Sequence, residues 1–187
     1  VTLIPSTFDL PANVSPSAFE SALESAAAKW SYPRVSCTSL RVGVGAAVRQ
    51  RLAEQDGQNL VVFRASRWCH NERCGKDATF PIAAAAMTNV YPVGAGPGKV
   101  VEADTELNAA HFDWLLAPDA TRGHGSHSYK TVLEAVLLHE LGHVLGFPDA
   151  CKPEHCSESE SRSVMNPSET LELSPEDVAA VCRAFPR

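Results

Sequence analysis

The stretch His139–Asp149, HELGHVLGFPD, narrows the choice of fold more than any other part of this 187-residue chain. It follows the apolar run TVLEAVLL from Thr131 to Leu138. Leu133, Val136, Leu137, Leu141 and Val144 recur at helical spacing, so the sequence predicts a buried helix here. His139 and His143 lie just over one turn apart and leave one face, where two imidazoles can bind one Zn²⁺ at about 2.0–2.1 Å each. Glu140, next to the first of them, can reach water held at such a metal and act as general base. Gly146 can take φ > 0, which ends the helix and turns the chain back. Asp149 then arrives where a third ligand is wanted, and a carboxylate in place of a neutral imidazole would acidify water at the metal less. Gly142 has no role at the metal.

HExxH alone is a weak signal, because three fixed positions in five arise by chance in charged helices. A metal-free helix with two hydrogen-bonded histidines leaves Glu140, Gly146 and Asp149 unexplained together. His155 is the alternative third ligand, six residues beyond Asp149 in a cysteine-bracketed loop.

The extended pattern HExxHxxGxxD resembles that of the metzincin zinc endopeptidases, HExxHxxGxxH followed by a methionine turn. Snapalysin-like members of that clan also carry Asp in the third position. Met165, in SVMNP, stands at a distance compatible with the Met-turn that floors the metal site. Astacins and serralysins typically place a tyrosine two residues after that methionine. Here the position is Pro167, so the likeness is to the matrixin or snapalysin side.

Other stretches resemble matrixin catalytic domains in order. The helical SAFESALESAAAKW, then WSYPRVSCTSLRVGV and DGQNLVVF, resemble their opening; VEADTELN, Val101–Asn108, resembles one of their strands, and LSPEDVAAVCRAF their closing helix. The resemblance implies an α+β fold with a twisted, mostly parallel five-stranded sheet, an antiparallel edge strand at the cleft rim, a backing helix and an active-site helix. It also implies one catalytic domain over 1–187, with an upper lobe to about Gly146 and a small C-terminal lobe ending in the closing helix. Asn166–Ser174 would form the wall of the S1′ specificity pocket, and Asp177 could receive a salt bridge from a freed N-terminus. A second, structural zinc at His111, Asp113, His124 and His127 does not match the family order, and solvated loop histidines are the simpler reading. Calcium is undecided, for no EF-hand spacing occurs.

Local signals agree with this outline. Ser15 caps and Pro16 opens a helix ending near Trp30–Pro33, with Phe19, Leu23 and Ala27 on one face. Strands are expected over Cys37–Val44, Asn59–Ala65 after the turn at Asp56-Gly57, Phe80–Val90 and Lys99–Leu107. Ser66–Thr79 and Pro118–Lys130 read as loops. Ser174-Pro175 starts a last helix, with Glu176 and Asp177 in its first turn.

A net charge of −6 without a basic run argues against nucleic acid as a partner. There is no uncharged apolar span long enough for a membrane helix. Val1–Leu10 lacks a basic start and an apolar core, so it does not read as a signal peptide, and a processed form is the expectation. Six cysteines allow 15 pairings. Their spacing suggests Cys69–Cys74 and Cys151–Cys156, leaving Cys37 with Cys182; zinc–cysteine ligation is the rival. Disulfides would place the chain in an oxidising, extracellular or periplasmic location.

The expectation is a secreted, monomeric zinc endopeptidase acting on protein or peptide, with His139, His143 and Asp149 as zinc ligands, Glu140 as general base and an inhibitory propeptide in its precursor. Two rivals share the residues: a catalytically silent zinc-binding or inhibitory module, and a zinc amidase acting on cell-wall peptides.

Overall fold

A computed structural model of the chain describes residues 1–75, 79–92, 100–117, 129–151, 155–158, 160–166 and 170–187. Helix α1 (Pro16–Trp30) forms where a hydroxyl precedes a proline: Ser15 Oγ accepts the Ala18 N–H at 3.1 Å, and Pro16 lacks an N–H where a helix has no use for one. Its buried residues Phe19, Leu23, Ala26, Ala27 and Trp30 lie on one stripe and face a sheet.

That sheet has five strands: β1 (Thr2–Pro5), β2 (Gly43–Val44), β3 (Asn59–Arg64), β4 (Ala86–Pro92) and β5 (Val100–Asn108). Their order is β2-β1-β3-β5-β4, with every pairing parallel except β4 against β5. The fold is thus α+β with a mostly parallel sheet and an antiparallel edge strand. Two further strands, β6 (Phe112–Leu115) and β7 (Tyr129–Val132), pair parallel by themselves, and β7 runs directly into helix α2 (Leu133–Val144). Helix α3 (Pro175–Ala184) closes the chain.

Val61, Phe63, Ala103 and Leu107 on the inner face meet α1 and α2 in one buried apolar cluster that runs from Leu3 to Val181. Phe63 anchors it, with Phe19 and Trp114 edge-on at 5.1 and 5.4 Å. The outer face is polar yet covered. Arg64 and Glu106, both fully buried, pair there, and Glu106 also accepts from the Asn71 N–H at 3.0 Å and Asn89 Nδ2 at 3.1 Å. The Cys69–Cys74 loop supplies Asn71 and so shields this ion pair. β3 can therefore be buried along almost its whole length, as its sequence NLVVFR reads.

The cysteines pair as their spacing suggests, at Cα–Cα distances of 5.4 Å for Cys37–Cys182 and 5.2 Å for Cys69–Cys74 and Cys151–Cys156. Among the described residues no helix is long and apolar enough to cross a membrane.

Two strand boundaries differ clearly from expectation, and three short strands are unexpected. Of Cys37–Val44, only Gly43–Val44 is a strand, because the earlier part is spent on the C-terminus: Cys37 bonds Cys182, and Thr38 bridges Pro186 and donates to Phe185 O. β4 begins at Ala86, not Phe80, since a turn from Pro81 O to the Ala84 N–H (2.9 Å) occupies the earlier residues. β1, β6 and β7 carry too short a pattern to be read from sequence; each has four residues. The outer His111 Nδ1 bonds Asn108 Oδ1 at 3.2 Å, and it joins no group of metal-ligand residues among those described; His124 and His127 lie outside the described residues.

One buried carboxyl gives stability a pH dependence. Asp104, on β5, is 1% exposed; Oδ1 accepts the Leu60 N–H at 2.8 Å, while Oδ2 has no partner among the described residues. Burial, opposed by the Leu60 N–H and reinforced by Glu102, pushes its pKa up from 3.8 to about 7. The folded state then holds a proton that the unfolded chain releases, so this group's contribution is intact below pH 3.8 and is lost as pH rises through about 7. Asp104→Asn should flatten that decline and stabilise the chain above neutrality by about 1–3 kcal/mol, read by denaturant unfolding at pH 5 and pH 8.

Candidate metal centre

The last turn of α2 sets the site. Gly146 N–H bonds His143 O and Phe147 N–H bonds Gly142 O, both at 2.9 Å, with Gly146 at φ 89°. This pair of bonds is a Schellman motif, which needs a left-handed residue that glycine adopts without strain. The reversal does two things at once: it brings Phe147 O to 2.8 Å from His143 Nδ1, and it carries the chain on to Asp149.

A second segment passes under the first histidine. Val164 O lies 2.8 Å from His139 Nδ1. Its placement comes from α3, whose capping box uses Asp177 at N3: Asp177 Oδ2 accepts the N–H groups of Ser174 (2.8 Å) and Val164 (3.0 Å), and Oδ1 accepts from Ser163 Oγ. Ser163 Oγ in turn accepts the Met165 N–H at 3.0 Å. Asp177 is therefore committed to the Met165 turn, while Val1 N donates to Arg41 O at 2.9 Å.

These two backbone bonds fix the tautomers. A carbonyl can only accept, so each Nδ1 carries the proton and each neutral ring presents a bare Nε2. The two Nε2 atoms face each other at 3.1 Å, and Asp149 Oδ1 lies 3.5 and 3.4 Å from them. Three acceptors thus converge without a donor between them. A bound cation, or one added proton, would resolve this, and tetrahedral bonds of about 2.0–2.2 Å would require ligand separations of about 3.3–3.5 Å, close to those found. Among the described residues, His139, His143 and Asp149 form the one group of three or more potential ligands, with donor atoms within 4.8 Å of one another. His155 is exposed and does not join it.

Glu140 lies next to this triangle, 6% exposed, with Oε2 accepting from Thr88 Oγ1 at 2.6 Å. Glu140, His139, His143 and Asp149 line a cavity of ≈530 Å³ whose other walls are Ala83–Thr88, Val90 and the Thr131, Ala135 and Val136 side of α2. Val136, expected in the core, is only partly buried against it and also lines this cavity. Within residues 166–174, Thr170 and Ser174 line a separate hollow, and residues 167–169 lie outside the described part, as does the position of Pro167.

β4 forms the cavity rim with its free edge. Asn108 N–H donates to Ala85 O at 2.8 Å, which makes 85 and 108 a hydrogen-bonded pair. Antiparallel ladders alternate, so Ala86, Thr88 and Val90 sit in non-bonded pairs with Leu107, Thr105 and Ala103. Their backbone N–H and C=O groups point away from β5, on the side where no strand among the described residues pairs.

Thr88 gave no sequence signal, being one hydroxyl in an alanine-rich strand. Gly142, read from the sequence only as having no role at the metal, has a packing role. A Cβ there would lie 2.0 Å from Met165 Sδ and 3.2 Å from Trp30 Cζ2. Trp30 is itself held by Nε1 donating to Leu138 O at 2.9 Å and by stacking on Phe147 at 5.6 Å. Gly142→Ala should therefore lower unfolding free energy by about 1–2 kcal/mol despite alanine's better helix propensity, measured by urea denaturation.

No protein-family model matches the chain, and no curated protein matches its sequence.

Proposed function

We propose that the chain is a secreted zinc endopeptidase of the matrixin-like metzincin type. The observation that carries this reading is the triangle of bare acceptors, His139 Nε2, His143 Nε2 and Asp149 Oδ1, beside a carboxylate in an open cavity. His₂-carboxylate is an accepted catalytic zinc set, and the half-exposed Asp149 leaves one side open to the cavity. Zinc held there would polarise a scissile carbonyl and offset charge on the tetrahedral intermediate.

The chain's own groups account for the remainder. Glu140 takes a proton from the attacking water and delivers it to the leaving amine as the C–N bond breaks. The free edge of β4 offers backbone groups at Ala86, Thr88 and Val90 to an extended peptide, adding a strand beside the base. Three disulfides support an oxidising, extracellular setting. An open edge aligned with the base favours a peptide main chain over a small amide.

Glu140→Gln should keep zinc content and fold while lowering casein or peptide hydrolysis by about 10²–10⁴-fold; near-normal turnover would sink the assignment. Asp149→Ala should lose zinc on dialysis that the parent chain retains, read as metal per chain by atomic absorption. A chelator should stop hydrolysis by the parent chain, and added Zn²⁺ should restore it.

A further inference from the structure

We propose that Thr88 is a positioning residue for Glu140, so that the strand which would align a peptide also orients the group that takes the proton. The proposal rests on the peptidase reading. Thr88 and Thr105 face each other on the inner side of β4 and β5, their hydroxyl oxygens 2.9 Å apart. Thr88 Oγ1 also lies 2.6 Å from Glu140 Oε2.

Proton counting fixes the direction of this chain. An ionised carboxylate can only accept, so the single proton of Thr88 goes to Glu140. Thr105 must then donate to Thr88. Thr105 is 2% exposed, which shuts out competing water. The order Thr105, Thr88, Glu140 is therefore the one arrangement in which both hydroxyl protons are used.

The consequence lies at Glu140. Its Oε2 is tied to the sheet, and Oε1 has no hydrogen-bond partner among the described residues while the side chain lines the cavity. One oxygen is anchored and the other is left to receive a proton. Without the anchor, the carboxylate is free to turn about its terminal torsion. Thr88 joins this to binding: its side chain reaches Glu140, while its own N–H and C=O lie on the free edge of β4. A peptide paired to that edge is thereby registered against the same residue that holds the base.

The test compares Thr88→Val, which keeps shape and removes the hydroxyl, with Thr88→Ser, which keeps the hydroxyl. Thr88→Val should lower kcat roughly ten- to a hundredfold with KM and zinc content unchanged, and Thr88→Ser should recover most of that loss. Should Thr88→Val not fold, Thr88→Ala is read by the same criteria. Wild-type kcat in the Val variant, a Ser variant as slow as Val, or a loss confined to KM would each overturn the proposal. A wild-type chain without peptidase activity would instead sink the peptidase reading, and crystal structures of the parent and Thr88→Val would then decide Thr88. A Glu140 carboxylate that is rotated or smeared in the variant supports the proposal; the same rotamer, equally ordered, overturns it.

Discussion

Each of the two histidines has one nitrogen taken by a backbone carbonyl, and the geometry of the site follows from that constraint. Neutral imidazole carries one proton for two nitrogens. Spending it on Val164 O and Phe147 O leaves both inner nitrogens bare and 3.1 Å apart. Such a contact is repulsive between neutral rings, and the carboxylate of Asp149 beside them makes it more so. The folded chain thus gathers three acceptors that a bound cation would reconcile, and the surrounding structure keeps them from moving apart.

That restraint comes from one segment close in sequence and one far from it. Phe147 O is delivered by the Gly146 reversal, whereas Val164 O is delivered by Asp177 in the first turn of α3. An acid at N3 is ordinarily read as a capping device favourable to the helix dipole. Here the same carboxylate caps α3 and clamps Ser163 and Val164, so the last helix and the outer nitrogen of His139 are one hydrogen-bonded unit. The Cys37–Cys182 bond and the Thr38–Pro186 bridge then tie that helix to the segment leading into β2.

Much of this was legible in the sequence, for a definable reason. α1, α2 and α3 carry their own punctuation: Ser15-Pro16, Gly146 and Ser174-Pro175 each satisfy a local backbone need, and such needs can be read without knowing the partner. His139, His143 and Asp149 are brought together by one helix and one reversal, so their spacing already contained their meeting. Thr88 was not legible, because it meets Glu140 only through strand register and helix–sheet packing. Cys37–Val44 misled for the same reason. Its alternation reads as a strand, but Cys37 and Thr38 meet Cys182, Phe185 and Pro186, and only Gly43–Val44 pairs with β1.

The edge position of β4 links the two halves of the molecule's chemistry. A strand inside a sheet has all its backbone groups engaged, whereas an edge strand leaves every second residue's pair open. An unprotected edge is a liability unless something covers it, and here the open groups of Ala86, Thr88 and Val90 lie at the rim of a cavity lined by Glu140, His139, His143 and Asp149. Placing the sole antiparallel strand of the sheet at that rim matters. A chain added antiparallel to β4 would run parallel to β5, along the rim of the cavity that Glu140, His139, His143 and Asp149 line.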